Sequence, residues 1–402
     1  MTAALVAPQY LALDHFYSMN AFDMFFWALA AYLLIRLIQD PAPSRWILLG
    51  LVLGLGLLNK ISVLWLGAGL LVGIVATPQR RWLLTAWPGV AGTIAAVLFA
   101  PYPLWEIRHG WPTLEFIHNA TSDKMVHVSP LAFFAGQVDT MLVVSLPLWL
   151  GGLGFLFFHP AGRQYRLLGF TYVTVFAILA GSGSSRAGYL APAYTWLFAA
   201  GGVAAESLLG HPRLTWVRPA ALAVLLAAGA VAAPFALPVL PVETYIRYAR
   251  ALGRAPETEE RKELAELGQF YADMHGWDAM VSTLASVYRG LPPADAAVAR
   301  ILAPDYGVAG AVDLLGRKQG LPAAISGHNN YWLWGPDGWD GRVLIVVGGT
   351  EEVLRERFDQ VERAATIECG RCMPYENHRP VWVCRTLRVP VAAAWARVKH
   401  YD

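Results

Sequence analysis

The sequence predicts an α-helical polytopic membrane protein with a C-terminal soluble α/β domain, and three observations carry that prediction. Of 402 residues, 56% are hydrophobic and only 15% charged, whereas soluble domains run at about 25% charged. The charges are also unevenly placed: residues 1–240 hold 12 Lys/Arg and 8 Asp/Glu, and residues 241–402 hold 19 and 21. Long apolar runs fill the first part and amphipathic segments the second. A helical bundle over 1–240 and a soluble domain over 241–402 follow. The overall net charge of +2 divides into +4 and −2, so neither part has the basic excess that nucleic-acid binding requires. A cytosolic enzyme, a disordered chain and a collagen-like fibre are excluded by the same composition.

Crossing a bilayer as a helix takes about 20 apolar residues. Runs near 21–38, 46–59, 61–77, 83–101, 131–158, 167–182, 189–208 and 219–240 predict about eight spans. Arg36 and Arg45, Arg80 and Arg81, Arg163 and Arg166, and Arg213 and Arg218 bracket alternate linkers, which places those linkers in the cytoplasm. Lys60, the loop around 102–130, the SGSSRAG linker at 182–188 and the whole C-terminal domain then face outward. Asp14, Asp23, Glu106, Glu115, Asp123 and Asp139 fall on that outer side. Residues 3–13 are apolar but too short to span and lack the features of a signal peptide, so the expectation is that earlier helices are missing from the front.

In the C-terminal part, ETYIRYARALG and ETEERKELAELGQFYADMHGW read as amphipathic helices. ARILAPDYGVAGAVDLLG reads as strand, turn and helix, and RVLIVVGG as a buried strand. GTEEVLRERFDQVERA reads as a helix with Thr350 as N-cap, and VWVCRTLRV as a closing strand. Neither YGVAGAV nor VVGGTEE has the spacing of a dinucleotide fingerprint, so no nucleotide cofactor is expected. Cys369, Cys372 and Cys384 all lie here. An oxidising compartment predicts a disulfide, for example Cys369 or Cys372 to Cys384, with one thiol left over. A redox-active C-G-R-C pair is the less favoured reading, because CGRCMPYENHRP looks like a loop rather than a helix start.

The succession HFYSMNAFDMFFWALAAYLLIRLI, GLVLGLGLLNKISVLWLG, APYPLWEIRHGWPTLEFIHNA, GYLAPAYTWLFAAGG, SGHNNYWLWGP and CMPYENHRPVWVCR resembles bacterial membrane glycosyltransferases of the GT-C class. More narrowly it is similar to the family 39 group, with protein O-mannosyltransferases and the aminoarabinose transferase of lipid A. The resemblance implies transfer of a sugar from a polyprenyl-phosphate carrier to a lipid, glycan or protein acceptor at the outer face of the bacterial inner membrane. It also implies inversion at the anomeric centre and often a divalent cation, Mg or Mn. The family's first outer loop, with its acidic residue, precedes the region matched by Met1–Asn20, and this chain departs from the family by lacking it.

Asp23 is the first candidate for chemistry. It falls about one turn into the first span, where an unpaired charge costs on the order of 3 kcal/mol, and it matches an acidic position that family members place at the active site. Orienting the acceptor, binding a cation and stabilising positive charge at the anomeric carbon are its possible roles; capping the helix is the structural alternative. Cations are needed beside a leaving phosphate, and Lys60 and Arg186, the latter preceding Tyr189, are placed to supply them. Gly188 stands where the family commonly has His. Arg108 and His109 in WEIRHGW form a third group, with His15 and Tyr17 as supports for Asp23. His328, Asn329, Asn330, Tyr331, Trp332 and Trp334 have a carbohydrate-binding composition, and Asn119-Ala120-Thr121 fits a glycosylation acceptor. A transporter or lipid flippase is the rival reading, but it predicts hydropathy symmetry between halves, which the sequence does not show. An inactive membrane scaffold is the third.

Overall fold

The structure, a computed structural model, describes residues 1–209 and 214–402; Arg213, one of the linker arginines, lies outside them. It divides into two compact units, Met1–Arg108 with His127–Tyr245, and His109–Val126 with Ile246–Asp402.

The first unit is helical, and every apolar run of the sequence forms helix. In chain order these are Met19–Gln39, Pro43–Asn59, Val63–Val75, Trp87–Phe99, Pro130–Thr140, Leu146–Phe158, Arg166–Gly181, Tyr194–Leu208 and Val217–Ala236. The run at 131–158 is broken, because Leu142 takes φ +71° and the helices on either side meet at 94°. Among the described residues, Met19–Gln39 and Val217–Ala236 are long and apolar enough to cross a membrane alone, and counting each of three bent pairs as one span brings the total to five. The shortfall from eight is one of length. A 13-residue helix such as Val63–Val75 reaches about 20 Å, short of a hydrocarbon core of about 30 Å. Leu55, Leu58, Leu64, Leu71, Leu222 and Val224 point outward and exposed, a surface suited to lipid rather than water.

Small residues bring these helices together. An added Cβ at Gly50 would lie 2.7 Å from the Ala91 carbonyl oxygen, and one at Gly69 would lie 2.8 Å from that of Thr171. The pairs Gly50/Gly54 and Gly69/Gly73 are each four residues apart, so each forms a flat stripe against which a neighbouring backbone packs. Side-chain bonds sort the linkers into two groups. Gln39 donates to the Tyr165 hydroxyl at 2.8 Å and Gln79 to the Gln164 carbonyl at 3.3 Å, joining three of the arginine-bracketed linkers. Met19, Asn59 and Lys60 gather separately, through Asn59 donating to the Met19 carbonyl at 2.9 Å and Lys60 to Asn20 Oδ1 at 2.8 Å.

The second unit is built on a five-stranded sheet. In chain order the strands are β1 Arg300–Ala303, β2 Ala324–Ser326, β3 Val343–Val347, β4 Phe358–Ile367 and β5 Arg379–Leu387, and their order across the sheet is β2-β1-β3-β5-β4. β1 is parallel to β2 and β3, while β5 is antiparallel to β3 and β4. β3 is buried along its whole length. Ile345 and Val347 pack with Val281, Leu284 and Val308 of the helices Trp277–Arg289 and Tyr306–Leu314; Leu344 and Val346 pack with Trp339, Leu354 and Trp382. Apolar layers therefore cover both sheet faces, as an α/β domain requires.

Two helices expected here are overturned. GTEEVLRERFDQVERA is helical only over Glu351–Arg357, and from Phe358 it pairs with β5 as β4. Its Glu, Arg and Gln favour helix, but the ladder supplies partners that propensity cannot. Thr350 does sit at the N-cap, without a side-chain capping bond. ETEERKELAELGQF gives helix only at Gln269–Ala272. Its middle is held instead by residues 122–125: the Arg261 N–H donates to the Lys124 carbonyl at 2.8 Å, Arg261 Nη1 to the Ser122 carbonyl at 2.9 Å, and Glu260 bridges Met125.

One disulfide and one thiol left over are present as expected, but not in the pairing given as the example. Cys369 pairs with Cys372, and Cys384 is the free thiol, fully buried in β5 beside Leu344. Burial pushes the Cys384 thiol up to about 12, which leaves it unreactive.

Candidate functional site

Asp23 lies in Met19–Gln39 with 1% of its surface exposed. It does not cap that helix: Ser18 is the N-cap, its hydroxyl accepting from the Asn20 N–H at 3.2 Å. The partners of Asp23 come instead from the break between Pro43–Asn59 and Val63–Val75. Ser62 Oγ lies 2.8 Å from both carboxylate oxygens and Lys60 Nζ is 3.5 Å from Oδ2. Lys60 is at the C-cap of Pro43–Asn59, in extended backbone conformation, its N–H bonded to the Gly56 carbonyl. That turn aims its side chain back onto Asn20 and Asp23, and only 14% of the side chain remains exposed.

Tyr189 completes the cluster. Lys60 Nζ sits 5.3 Å from its ring centroid, within the range of a cation–π contact, and Trp65 lies against the same ring at 5.7 Å. The arrangement is thus a buried carboxylate, an ammonium held by it, and two aromatic faces beside the ammonium. Of the residues singled out in the sequence, Asp23, Lys60 and Tyr189 are brought together. Arg186 stands at the start of the 3₁₀ turn Ala187–Ala193 that carries Tyr189, and its carbonyl accepts the Tyr189 N–H at 3.1 Å. Gly188 has the Gln9 side chain against it, 2.6 Å from where a Cβ would stand.

His15 bonds the Ala12 carbonyl and packs on Phe16. Tyr17 is 93% exposed and packs on Phe22. Arg108 and His109 are exposed at the end of Pro101–His109. Sequence reasoning missed Ser62 and did not give Asn20 its contact with Lys60. Both had a signal: Ser62 follows Lys60 by two residues at the break between apolar runs, and Asn20 shares a helix face with Asp23 at a spacing of three.

A divalent cation fits Asp23 poorly, because the donors there are one carboxylate, one hydroxyl and one amide with an ammonium 3.5 Å away. Hard cations take more carboxylate oxygen than this. Among the described residues one other set, His328, His400 and Asp402, brings ligand atoms within 4.8 Å of one another. The tautomer forbids a metal there. His328 Nδ1 accepts the Tyr306 N–H at 3.1 Å, so a neutral ring carries its proton on Nε2, which then donates to the Asp402 carbonyl at 3.0 Å.

The same histidine is packed into the sheet domain. His328 is 5% exposed and stacked between Tyr306 and His400, and burial holds it below the usual histidine range. Trp332 and Trp395 exchange indole-to-carbonyl bonds of 3.0 Å. Asn330 and Trp334 are the members of the motif that stay exposed, Trp334 at 70%. Asn119 spends its amide on the Tyr401 carbonyl at 2.7 Å, so the acceptor pattern is part of a packed contact.

The family model described as dolichyl-phosphate-mannose-protein mannosyltransferase matches residues 1–105. The matched stretch contains Asn20, Asp23, Lys60 and Ser62 and ends before Arg108, Arg186 and Tyr189. No curated protein and no solved structure matches the chain. The likeness points to a glycosyltransferase of the mannosyltransferase type, and the apolar helices to a membrane protein.

Proposed function

We propose that this chain transfers a sugar, with inversion, from a polyprenyl-phosphate donor to a lipid, glycan or protein acceptor at the outer face of a bacterial inner membrane, the sheet domain lying on that side. The observation that carries the reading is the Asp23–Lys60 pair, buried between apolar helices inside the stretch that resembles mannosyltransferases. Charge builds on the phosphate oxygens as a glycosidic bond to phosphate breaks, and a prealigned cation lowers that barrier. Lys60 is the cation the geometry offers, with Arg186 on the adjoining turn as the second. Tyr189 and Trp65 give apolar faces against which a sugar or an isoprenoid unit can lie. Asp23 has both oxygens engaged and almost no exposed surface; its part is to hold Lys60 in place and keep it charged, rather than to act as base.

The test is turnover of a radiolabelled polyprenyl-phosphate sugar in membranes containing the chain. Lys60→Met is expected to lower the rate by about 10²–10³ and Asp23→Asn by less. Undiminished turnover in a folded Lys60→Met protein would remove Lys60 from the chemistry.

A further inference from the structure

The sheet domain holds a cleft lined by His275, Trp277, Cys369, Cys372, Glu376 and Arg379, among others. Its disulfide is unlike one placed for stability. Cys369 and Cys372 are three residues apart, so the bond closes a very short loop and removes little chain entropy, while Cys384 in the core is left unpaired. The two sulfurs are unequal. Cys372 is 4% exposed, whereas Cys369 is half-buried at the cleft wall. Asn377 Oδ1 accepts the Cys369 N–H at 2.9 Å and lies 3.6 Å from Cys369 Sγ. Beside them stands Gly276, at φ +94°, where an added Cβ would come within 2.7 Å of Cys369 Cβ; the glycine lets the backbone pass close to the bond.

We propose that the Cys369–Cys372 pair is a thiol–disulfide exchange site, independent of sugar transfer, that accepts two electrons from a dithiol on a peptide or small molecule entering this cleft. A thiolate of the dithiol attacks Cys369 Sγ. The bond between the cysteines breaks, and its electron pair goes to Cys372 Sγ, which takes a proton from Glu376. The second thiol of the dithiol, having given its proton to solvent, then attacks its partner sulfur in the mixed disulfide and releases Cys369 as a thiolate, which takes a proton from solvent. The dithiol is oxidised to a disulfide and the pair is reduced to two thiols. Glu376 suits the proton transfer because burial raises its carboxyl to about 7, and the charges acting on it are Arg379, Asp273 and Asp305, with His275 on the same cleft.

The experiment uses the full chain in detergent, equilibrated with reduced and oxidised glutathione at stepped ratios. Thiols are trapped by alkylation and assigned by mass spectrometry, while tryptophan fluorescence reports the fold. The expected result is reduction of Cys369–Cys372 with the protein still folded, and a glutathione adduct on Cys369 in Cys372→Ser. A pair that stays closed until denaturant is added overturns the proposal, as does an adduct confined to Cys384. Should Cys372→Ser fail to fold, the wild-type titration alone decides. Glu376→Gln is expected to slow reduction at pH 7 by about a hundredfold and flatten its pH dependence between 5 and 8; an unchanged rate and profile would remove Glu376 from the step.

Discussion

The hydroxyl of Ser62 sits 2.8 Å from both carboxylate oxygens of Asp23. A serine has one hydrogen to give, so it cannot satisfy both oxygens at once, and the carboxylate depends on Lys60 for the remainder of its compensation. Removing Lys60 leaves a buried charge without its counter-ion, at a cost of about 3–5 kcal/mol. Removing the serine hydroxyl costs about 1.5–3 kcal/mol. Lys60→Met is therefore expected to lower the thermal midpoint in detergent more than Ser62→Ala does, and Asp23→Asn combined with Lys60→Met to recover part of the loss. A strictly additive double variant would count against direct coupling of the pair.

Helix contacts in the first unit predict opposite outcomes for two glycines on one helix. Gly69 meets the Thr171 backbone, while nothing lies within 4 Å of a Cβ built at Gly67. Gly69→Val is expected to cost several kcal/mol through overpacking, on the order of 1–3 or more, and Gly67→Ala to be neutral or slightly stabilising. Thermal midpoints of the two variants in the same detergent check this.

Below neutrality two groups are expected to pull the stability of the sheet domain in opposite directions. His328 is held below its ordinary value of 6.5 by burial, with Asp402 opposing and His400 adding to the shift. Its contribution is present above about 6.5 and is lost as pH falls through the lowered folded value. Glu376 is raised from 4.5 to about 7, so its contribution is complete below 4.5 and is lost as pH rises through 7. His328→Gln should remove a loss of stability that sets in as pH falls below about 6.5, and Glu376→Gln a loss that sets in as pH rises from 4.5 to 7, read from denaturant midpoints between pH 4 and 9. Parallel curves for wild type and Glu376→Gln would show that the carboxyl is not perturbed.

Residues 109–126 are tied to the C-terminal residues by Lys399 Nζ on Glu115 at 2.8 Å and by Asn119 on the Tyr401 carbonyl at 2.7 Å. The ion pair is partly exposed and worth at most about 1 kcal/mol, the hydrogen bond about as much. Together they predict that Glu115→Ala with Asn119→Ala speeds hydrogen exchange in Pro112–Asn119 by about tenfold. The same contact predicts that Asn119 stays unmodified in the folded protein; a glycan found there would contradict it.

The apolar runs are legible because burial in lipid or protein writes them as composition, and all of them form helix, the run at 131–158 in two pieces. Their reach was less so, since the break at Leu142 depends on a backbone conformation its sequence does not announce. In the soluble domain, β1, β3 and β5 were legible from short β-branched runs, whereas β4 was hidden by a helix-like Glu/Arg content that only the ladder to β5 overrides. Lys60 and Asp23 could be picked out as charges among apolar residues. Their contact with each other could not, because it depends on how the chain turns at Ser62. The 369–372 pairing is not legible for a similar reason: counting cysteines gives the number of bridges and leaves open which sulfurs face one another.

The outermost strands of the sheet bear on how this domain can meet a partner. Along β4, Asp359, Glu362 and Arg363 are exposed and the register slips between Arg363 and Ala365; at the opposite side β2 is only three residues long, and His400 bonds the Gly327 carbonyl immediately beyond it. Charges, a bulge and a covered short strand are each ways of refusing an additional strand. Recognition of an extended peptide by backbone pairing is thereby closed off on both flanks. Whatever docks on this domain must be read by side chains, so its specificity lies in loops that can change sequence without disturbing the sheet.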